Sequence, residues 1–259
     1  MIELSIAGGI AEIVLNAPQK LNSLNEEALA ELDKAYDDAA AAAGRGEVRA
    51  LLLRGEGRAF CAGRDIAGVT PESDDAQAYL GGLVEPLLKK MAAFPAPTFA
   101  AAHGACLGVG LGLLLATDVV YVAENAKFGS PFAKLGATLD SGGHWYFTER
   151  LGMHRTLDLI YTADLMSGSE AVAQGLFSRA MPDDSLLSVT RAIVERVAVG
   201  ATGAFTASKE LVAHIRDQRL GLWASMAEEN TEQARLCKSE DYAEGFRAFQ
   251  EKRAPVFKG

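Results

Sequence analysis

Histidine and cysteine are scarce in this chain, and neither falls at a metal-binding interval. The four histidines (103, 144, 154, 214) show no HxH or HExxH spacing. The three cysteines (Cys61, Cys106, Cys237) form no CxxC pair. A structural zinc site and a thioredoxin-like redox motif are therefore unsupported, no metal is expected, and buried thiols in a reducing compartment are the plain expectation. No G-x-S-x-G nucleophile elbow is present, which removes the Ser-His-Asp hydrolase pattern. Positive charge is also short: the formal net charge is −9. That argues against a general nucleic-acid binder, which needs cations to displace counterions from phosphates. It leaves open an anionic small ligand held by local donors. The first residues, MIELSIAGGIAEIVLN, carry Glu3 and Glu12 and no basic cluster. They read as strand and not as a signal peptide, so a cytoplasmic enzyme is expected. No fixed-period repeat and no low-complexity linker interrupts the chain, although alanine-rich 39–43 comes close to the latter.

What is present is an ordinary globular composition, 49% hydrophobic and 23% charged over 259 residues, enough for one large α/β domain or two small ones. The chain reads as built around Phe99–Ala123, whose first 19 residues, Phe99 to Thr117, contain no charge if His103 is neutral. Three readings compete for this stretch. A membrane span needs about 18 or more apolar residues, and Gly104, Gly108 and Gly112 make two GxxxG steps, but there is no second span and no flanking basic cluster. A dinucleotide loop would need glycine at 113, where Leu113 stands. The third reading, which we favour, is a strand, a glycine turn and a buried helix whose first N–H groups are free to hold negative charge.

Around it, Ile2–Ile6 and Ile10–Leu15 flank Gly8-Gly9 as a β-hairpin. A helix is expected after Pro18, with Ser23 and Glu26 at capping-box spacing. Val48–Leu53 reads as a buried strand, and 76–93 as a helix stopped by Pro95 and Pro97. Strands alternating with helices indicate an α/β fold. From Arg155 onward the pattern is almost wholly helical: 155–162, 169–174, 184–199, 202–219, 220–238 and 241–251. One α/β core with a helical C-terminal extension is the economical description.

Chemistry is left to acids standing among glycines. Asp140, in Gly136-Ala137-Thr138-Leu139-Asp140-Ser141-Gly142-Gly143, is the foremost of these. Burial there would raise its pKa toward that of a useful base. An equally open reading is that Asp140 caps the helix starting near Gly143. Asp65 and Asp118 read more readily as structural.

Three segments, Asn16-Ala17-Pro18-Gln19-Lys20-Leu21-Asn22-Ser23-Leu24, Gly57–Ile66 (GRAFCAGRDI) and His103–Gly110 (HGACLGVG), resemble the N-terminal landmarks of the crotonase superfamily of enoyl-CoA hydratases and isomerases. Glu244–Phe257 (EGFRAFQEKRAPVF) resembles its usual ending. The resemblance runs end to end. It implies a crotonase-like spiral of ββα units over residues 1–200 and a helical trimerisation region over 201–259, assembled as a homotrimer or a dimer of trimers. It implies an acyl-CoA thioester as substrate, with coenzyme A part of the substrate and no separate cofactor, no nucleic acid and no membrane. The backbone N–H groups of Arg64 and Val109 would hold the thioester oxygen. Fixed donors of this kind stabilise an enolate, and loss of one typically costs on the order of 10²–10³ in rate. For coenzyme A, the resemblance points to Lys20, Leu21, Ala62, Asp65 and Ile66, with Phe249 and Lys252 reaching a neighbouring subunit's ligand. The Arg64 side chain is expected in solvent or in a structural pair.

The chain departs from the hydratases of that superfamily. Their two glutamates would fall at 112 and 132, where Gly112 and Phe132 stand. Asp140 falls where Δ3,Δ2-enoyl-CoA and ring-1,2-epoxyphenylacetyl-CoA isomerases keep a lone carboxylate, and a 1,3-proton shift needs only one base. The expectation is an acyl-CoA isomerase with Asp140 as general acid/base. A hydratase or hydrolase recruiting Asp140 or Glu149, and a non-catalytic acyl-CoA-binding protein, are the alternatives. The 4-chlorobenzoyl-CoA dehalogenases also place an aspartate here, but their supporting tryptophan would fall at Phe132. Phe132, Leu135, Leu139 and Trp145 are expected to shape the acyl pocket, with Trp145 packed in the core and His144 left open.

Overall fold

The computed structural model describes residues 1–259. The hairpin forms as its alternation dictates: β1 (Ile2–Ala7) pairs antiparallel with β2 (Ile10–Leu15). β2 then pairs in parallel with β3 (Ala50–Gly55), β3 with β4 (Thr98–Ala102), and β4 with β6 (Val119–Ala123). β9 (Arg179–Met181) adds in parallel at the far edge, giving the order β1-β2-β3-β4-β6-β9. β4 is buried at every residue and β3 at all but Arg54. Parallel strands covered on both faces read as continuous apolar runs, which is how these two appear in the sequence.

A second sheet of three short strands carries the features that matter most for chemistry. β5 (Ala105–Leu107) pairs in parallel with β7 (Lys127–Gly129), which pairs antiparallel with β8 (Met166–Ser167). The apolar stretch from Phe99 is thus divided among β4, β5 and the helix α4 (Val109–Leu115). It is a strand, a glycine turn and a buried helix, with one more short strand than the sequence indicated. No helix of the chain is long and apolar enough to cross a membrane.

α1 (Glu26–Gly44) is capped by Asn25, whose side chain accepts from the Ala28 N–H at 2.9 Å, and not by Ser23. Its last turns absorb the alanine-rich segment, burying Ala39 and Ala42. The helix expected over 76–93 comprises α2 (Ala76–Tyr79) and α3 (Glu85–Ala92), joined by a π-helical turn at Leu80–Val84. α5 (Gly143–Thr162) is broken at Gly152 (φ 76°, ψ 167°), which accounts for the two helical segments expected there. α6 (Gly168–Ala173), α7 (Asp183–Ala198), α8 (Thr202–Gln218), α9 (Leu222–Leu236) and α10 (Glu240–Glu251) follow within two residues of expectation at each end. α8, α9 and α10 each bury a single residue, Ala207, Ser225 and Ala248.

Candidate active site

Two loops far apart in sequence run side by side. Phe60 N–H donates to the His103 carbonyl, Cys61 N–H to Ala105, and Leu107 N–H back to Cys61, at 2.8–3.0 Å. Residues 60–61 therefore extend β5 as a parallel neighbour. At Gly63 the approach of the two loops is too close for a side chain. A Cβ at Gly63 would lie 2.9 Å from the Leu107 carbonyl oxygen, and one at Gly108 would lie 3.9 Å from the Gly63 Cα. Both glycines also have positive φ, +100° and +53°, which costs glycine nothing. Arg64 and Val109 thus leave the same junction together. The Arg64 N–H donates to no protein acceptor. Val109 is the first residue of α4, so its N–H has no partner within the helix.

The loop carrying Arg64 is pinned from the N-terminal turn. Leu24 N–H donates to the Gly63 carbonyl, Asp65 N–H to Leu24, and Ala62 N–H to Leu21, at 2.8–2.9 Å. Buried Asn22 holds the two segments with three hydrogen bonds. Its Oδ1 accepts from the Ala17 N–H (2.8 Å), and its Nδ2 donates to the carbonyls of Glu56 (3.0 Å) and Ala59 (2.8 Å). The Arg64 side chain is in a structural pair, as expected: its guanidinium forms a bidentate pair with Asp74 (2.7 and 3.0 Å). It also stacks 4.1 Å above the Tyr79 ring, whose hydroxyl donates to the Leu24 carbonyl (3.0 Å). Sequence reasoning missed Asn22, Asp74 and Tyr79 as parts of this frame. Asn22 alone left a trace, within a quoted motif.

Asp140 lines a cleft of about 500 Å³ between α2–α3, α4 and α5. Its walls are largely apolar: Leu80, Val84 and Leu88 on one side, Gly112 and Ala116 on another, Tyr146 at a third. The carboxylate does not cap α5, whose N-cap is Gly142 with no side-chain bond. One oxygen, Oδ1, accepts from the Ser141 hydroxyl at 2.8 Å, and Oδ2 has no protein partner. Burial raises the Asp140 pKa from its ordinary value. The Ser141 hydrogen bond and the positive Arg64 guanidinium partly oppose that rise.

The two positions without acids are accounted for sterically. Phe132 closes over the turn at Gly108, where a Cβ would sit 3.0 Å from the ring's Cζ. A Cβ at Gly112 would lie 2.5 Å from the Ser141 Cβ. Glu149, the other acid considered, is outside the cleft and bidentate to Arg219 (2.6 and 2.9 Å) on the surface. The pocket expectation needs correction. Trp145 is 40% exposed, edge-on to Tyr146 and beneath Arg216, because α5 turns its neighbour Tyr146 inward instead. Leu135 is exposed on a short 3₁₀ turn, Leu139 packs under Gly143, and neither lines the cleft. His144 is on the surface, 3.3 Å from the Thr138 hydroxyl.

Of the residues considered for coenzyme A, Lys20, Leu21, Ala62, Asp65 and Ile66 are brought together at one edge. Lys20 Nζ is 2.9 Å from Asp65, so this cation already has an anionic partner. Ile66 is 55% exposed. Phe249 and Lys252 stand apart from them, at the end of α10. Phe249, 84% exposed, borders a separate cavity of about 860 Å³ with Tyr242, Phe246 and Phe257. Cys61 and Cys106 are buried and Cys237 is exposed, all as free thiols.

Residues 5–259 match the profile of the family described as enoyl-CoA hydratase/isomerase. The chain belongs to this family. Among its relatives, a protein of Rhodobacter capsulatus named "Probable enoyl-CoA hydratase" is 37% identical over 258 residues, covering 100% of this chain and 98% of its own. The 1,2-epoxyphenylacetyl-CoA isomerase of Escherichia coli is 31% identical over 260 residues, covering 97% and 95%. The crystal structure of an enoyl-CoA hydratase from Bacillus anthracis superposes with a TM-score of 0.90 at 29% identity, covering 100% of this chain and 99% of that one. The fold is that of the crotonase superfamily, with its helical C-terminal region. Most of the relatives carry hydratase names, and the family spans both reactions.

Proposed function

We propose that this member of the enoyl-CoA hydratase/isomerase family is an acyl-CoA isomerase that shifts a double bond through an enolate. The observation that carries this reading is that Asp140 stands in an apolar cleft with one oxygen unpartnered, while positions 112 and 132 offer no acid. In the proposed reaction, the thioester oxygen of a 3-enoyl-CoA accepts hydrogen bonds from the N–H groups of Arg64 and Val109. Asp140 removes a proton from C2, the electron pair delocalises onto the thioester oxygen as a dienolate, and Asp140 returns the proton at C4. The C3–C4 double bond becomes C2–C3, and no water enters. The positive end of the α4 dipole at Val109 favours the oxyanion. An aspartate with a raised pKa suits both halves of this proton transfer.

The coenzyme A portion is proposed to lie along Lys20, Leu21, Ala62, Asp65 and Ile66, where its phosphates would compete with Asp65 for Lys20. Phe249 and Lys252 would serve a neighbouring subunit's ligand. The exposed apolar residues of α8–α10 support self-association as a homotrimer or dimer of trimers, and a cytoplasmic location follows from such a substrate.

The test is incubation with a 3-enoyl-CoA while the conjugated 2-enoyl thioester is followed by absorbance. Turnover is expected, and Asp140→Asn is expected to lower it by at least 10³-fold. Full turnover by Asp140→Asn would refute the assignment of the base. The names of the relatives favour hydration as the second reading, and incorporation of ¹⁸O from solvent into the product would establish it.

A further inference from the structure

Gly112 is more than a position from which an acid is absent. The three nearest atoms that a Cβ there would meet all belong to Ser141: its Cβ at 2.5 Å, its Oγ at 3.2 Å and its carbonyl oxygen at 3.3 Å. Ser141 occupies the space above this turn of α4. It does so in the left-handed region, at φ +52°, which costs a serine about 1–2 kcal/mol that glycine would not incur. Gly142 follows at φ +80°, so two successive left-handed residues lead from Asp140 into α5. The hydroxyl delivered by this strained turn donates to Asp140 Oδ1 at 2.8 Å and is the only hydrogen bond the carboxylate receives.

We propose that Ser141 is a positioning residue for Asp140, and that it can act only because residue 112 has no side chain. Gly112 and Ser141 are then one unit: the space vacated on α4 is the seat of the group that orients the base. Holding Oδ1 leaves Oδ2 as the oxygen facing substrate, with a fixed direction for proton transfer. This rests on the reading of Asp140 as the base. It adds that restoring a glutamate at 112 would displace Ser141 and would not simply convert the site into that of a hydratase.

The groups acting on the Asp140 charge from the surrounding elements are the Arg64 guanidinium, His144 on α5 and the Tyr79 hydroxyl on α2. Glu85 and Lys89 on α3 form an ion pair at the cleft rim, and the Tyr146 ring borders the cleft from α5. None of these is altered by substitution at 141 or 112. The test is a carboxyl ¹³C NMR titration of Asp140 in the full-length protein, assigned by its absence in Asp140→Asn, with turnover of a 3-enoyl-CoA measured alongside. It requires no activity to report. Ser141→Ala keeps the Cβ and loses the donor, so the Asp140 pKa should rise and kcat should fall about tenfold with KM little changed. Gly112→Ala should reproduce both effects by pushing Ser141 away. In a Ser141→Gly background, where the 2.5 Å side-chain collision is gone and only the 3.3 Å approach of the residue-141 carbonyl remains, Gly112→Ala should add much less than it does alone.

An unchanged Asp140 pKa in Ser141→Ala would overturn the proposal. So would a Gly112→Ala effect of equal size in the Ser141→Gly background. Either result leaves the base assignment standing if Asp140→Asn is inactive. Full activity of Asp140→Asn would refute the base itself, whatever the titrations show.

Discussion

At the scale of single residues, the site is governed by a conflict between burial and charge. As the proposed base, Asp140 would have to be ionised to remove a proton, yet desolvation favours its neutral form. Its folded pKa is raised, so its contribution to stability is present at low pH and is lost as pH rises through that value. Activity runs the opposite way. The rate should fall as pH drops through the raised pKa, so the acid limb of the kcat/KM profile is expected at a higher pH than an ordinary aspartate would give. Asp140→Asn keeps an acceptor for the Ser141 hydroxyl and removes the buried charge. It should therefore raise the melting temperature at pH 7, by about 0.5–2 kcal/mol of stability, while abolishing turnover. Calorimetry at pH 7 checks this, and a lower melting temperature would contradict it. The residue's place among glycines was legible in the sequence. Its unpartnered Oδ2 was not, because cap and base look alike until the turn at Ser141 and Gly142 is seen.

At the scale of elements, the junction that carries the proposed oxyanion donors is held by a turn outside it. Asn22 joins the segment 17–22 to the loop 56–59 through its three buried bonds, and the same turn receives the N–H of Ala62 at Leu21. Asn22→Ala leaves one buried N–H and two carbonyls without their partner. It should cost about 3 kcal/mol, read as a shift in denaturation midpoint, and lower kcat by loosening Arg64. A variant as stable as the parent would show that this turn is not a structural tie. The hairpin, β3, β4 and the C-terminal helices could be traced from sequence, because each is long enough for its apolar period to show. β5, β7, β8 and β9 could not. Strands of two or three residues have no period, and they exist through their neighbours alone. The cleft wall was hidden for a related reason: Leu80, Val84 and Leu88 form a stripe that reads identically whether it faces a core or a ligand.

At the scale of the whole molecule, the chain has one well-covered body and one bare end. The α/β part buries 50 residues in a single apolar cluster, none of them beyond Ala198. In contrast, Trp223 (77%) and Phe249 (84%) lie open on α9 and α10. A large exposed apolar surface on a folded chain is the mark of an interface. Sedimentation equilibrium is expected to give a mass three or six times the 27.4 kDa chain, and a monomer at micromolar concentration would refute the association. The end-to-end family and its helical C-terminal region were legible from four motifs in order. The proposal of isomerase over hydratase rests on two missing acids in the sequence, and the packing of Ser141 and Phe132 shows how those positions are filled.

The contact between Gly63 and Gly108 has a consequence for how such a site can change. Both proposed oxyanion donors issue from one backbone junction, built from ladder hydrogen bonds and two glycines and braced from outside by the Asn22 side chain. The proposed base belongs to a separate segment, 136–143, attached by a serine and a left-handed turn. On the proposed mechanism, the part that stabilises charge is a chassis, and the part that moves protons is an exchangeable fitting. Redesign confined to residues 136–143 and the facing turn of α4 can alter which proton moves, and to where, while the chassis stays as it is.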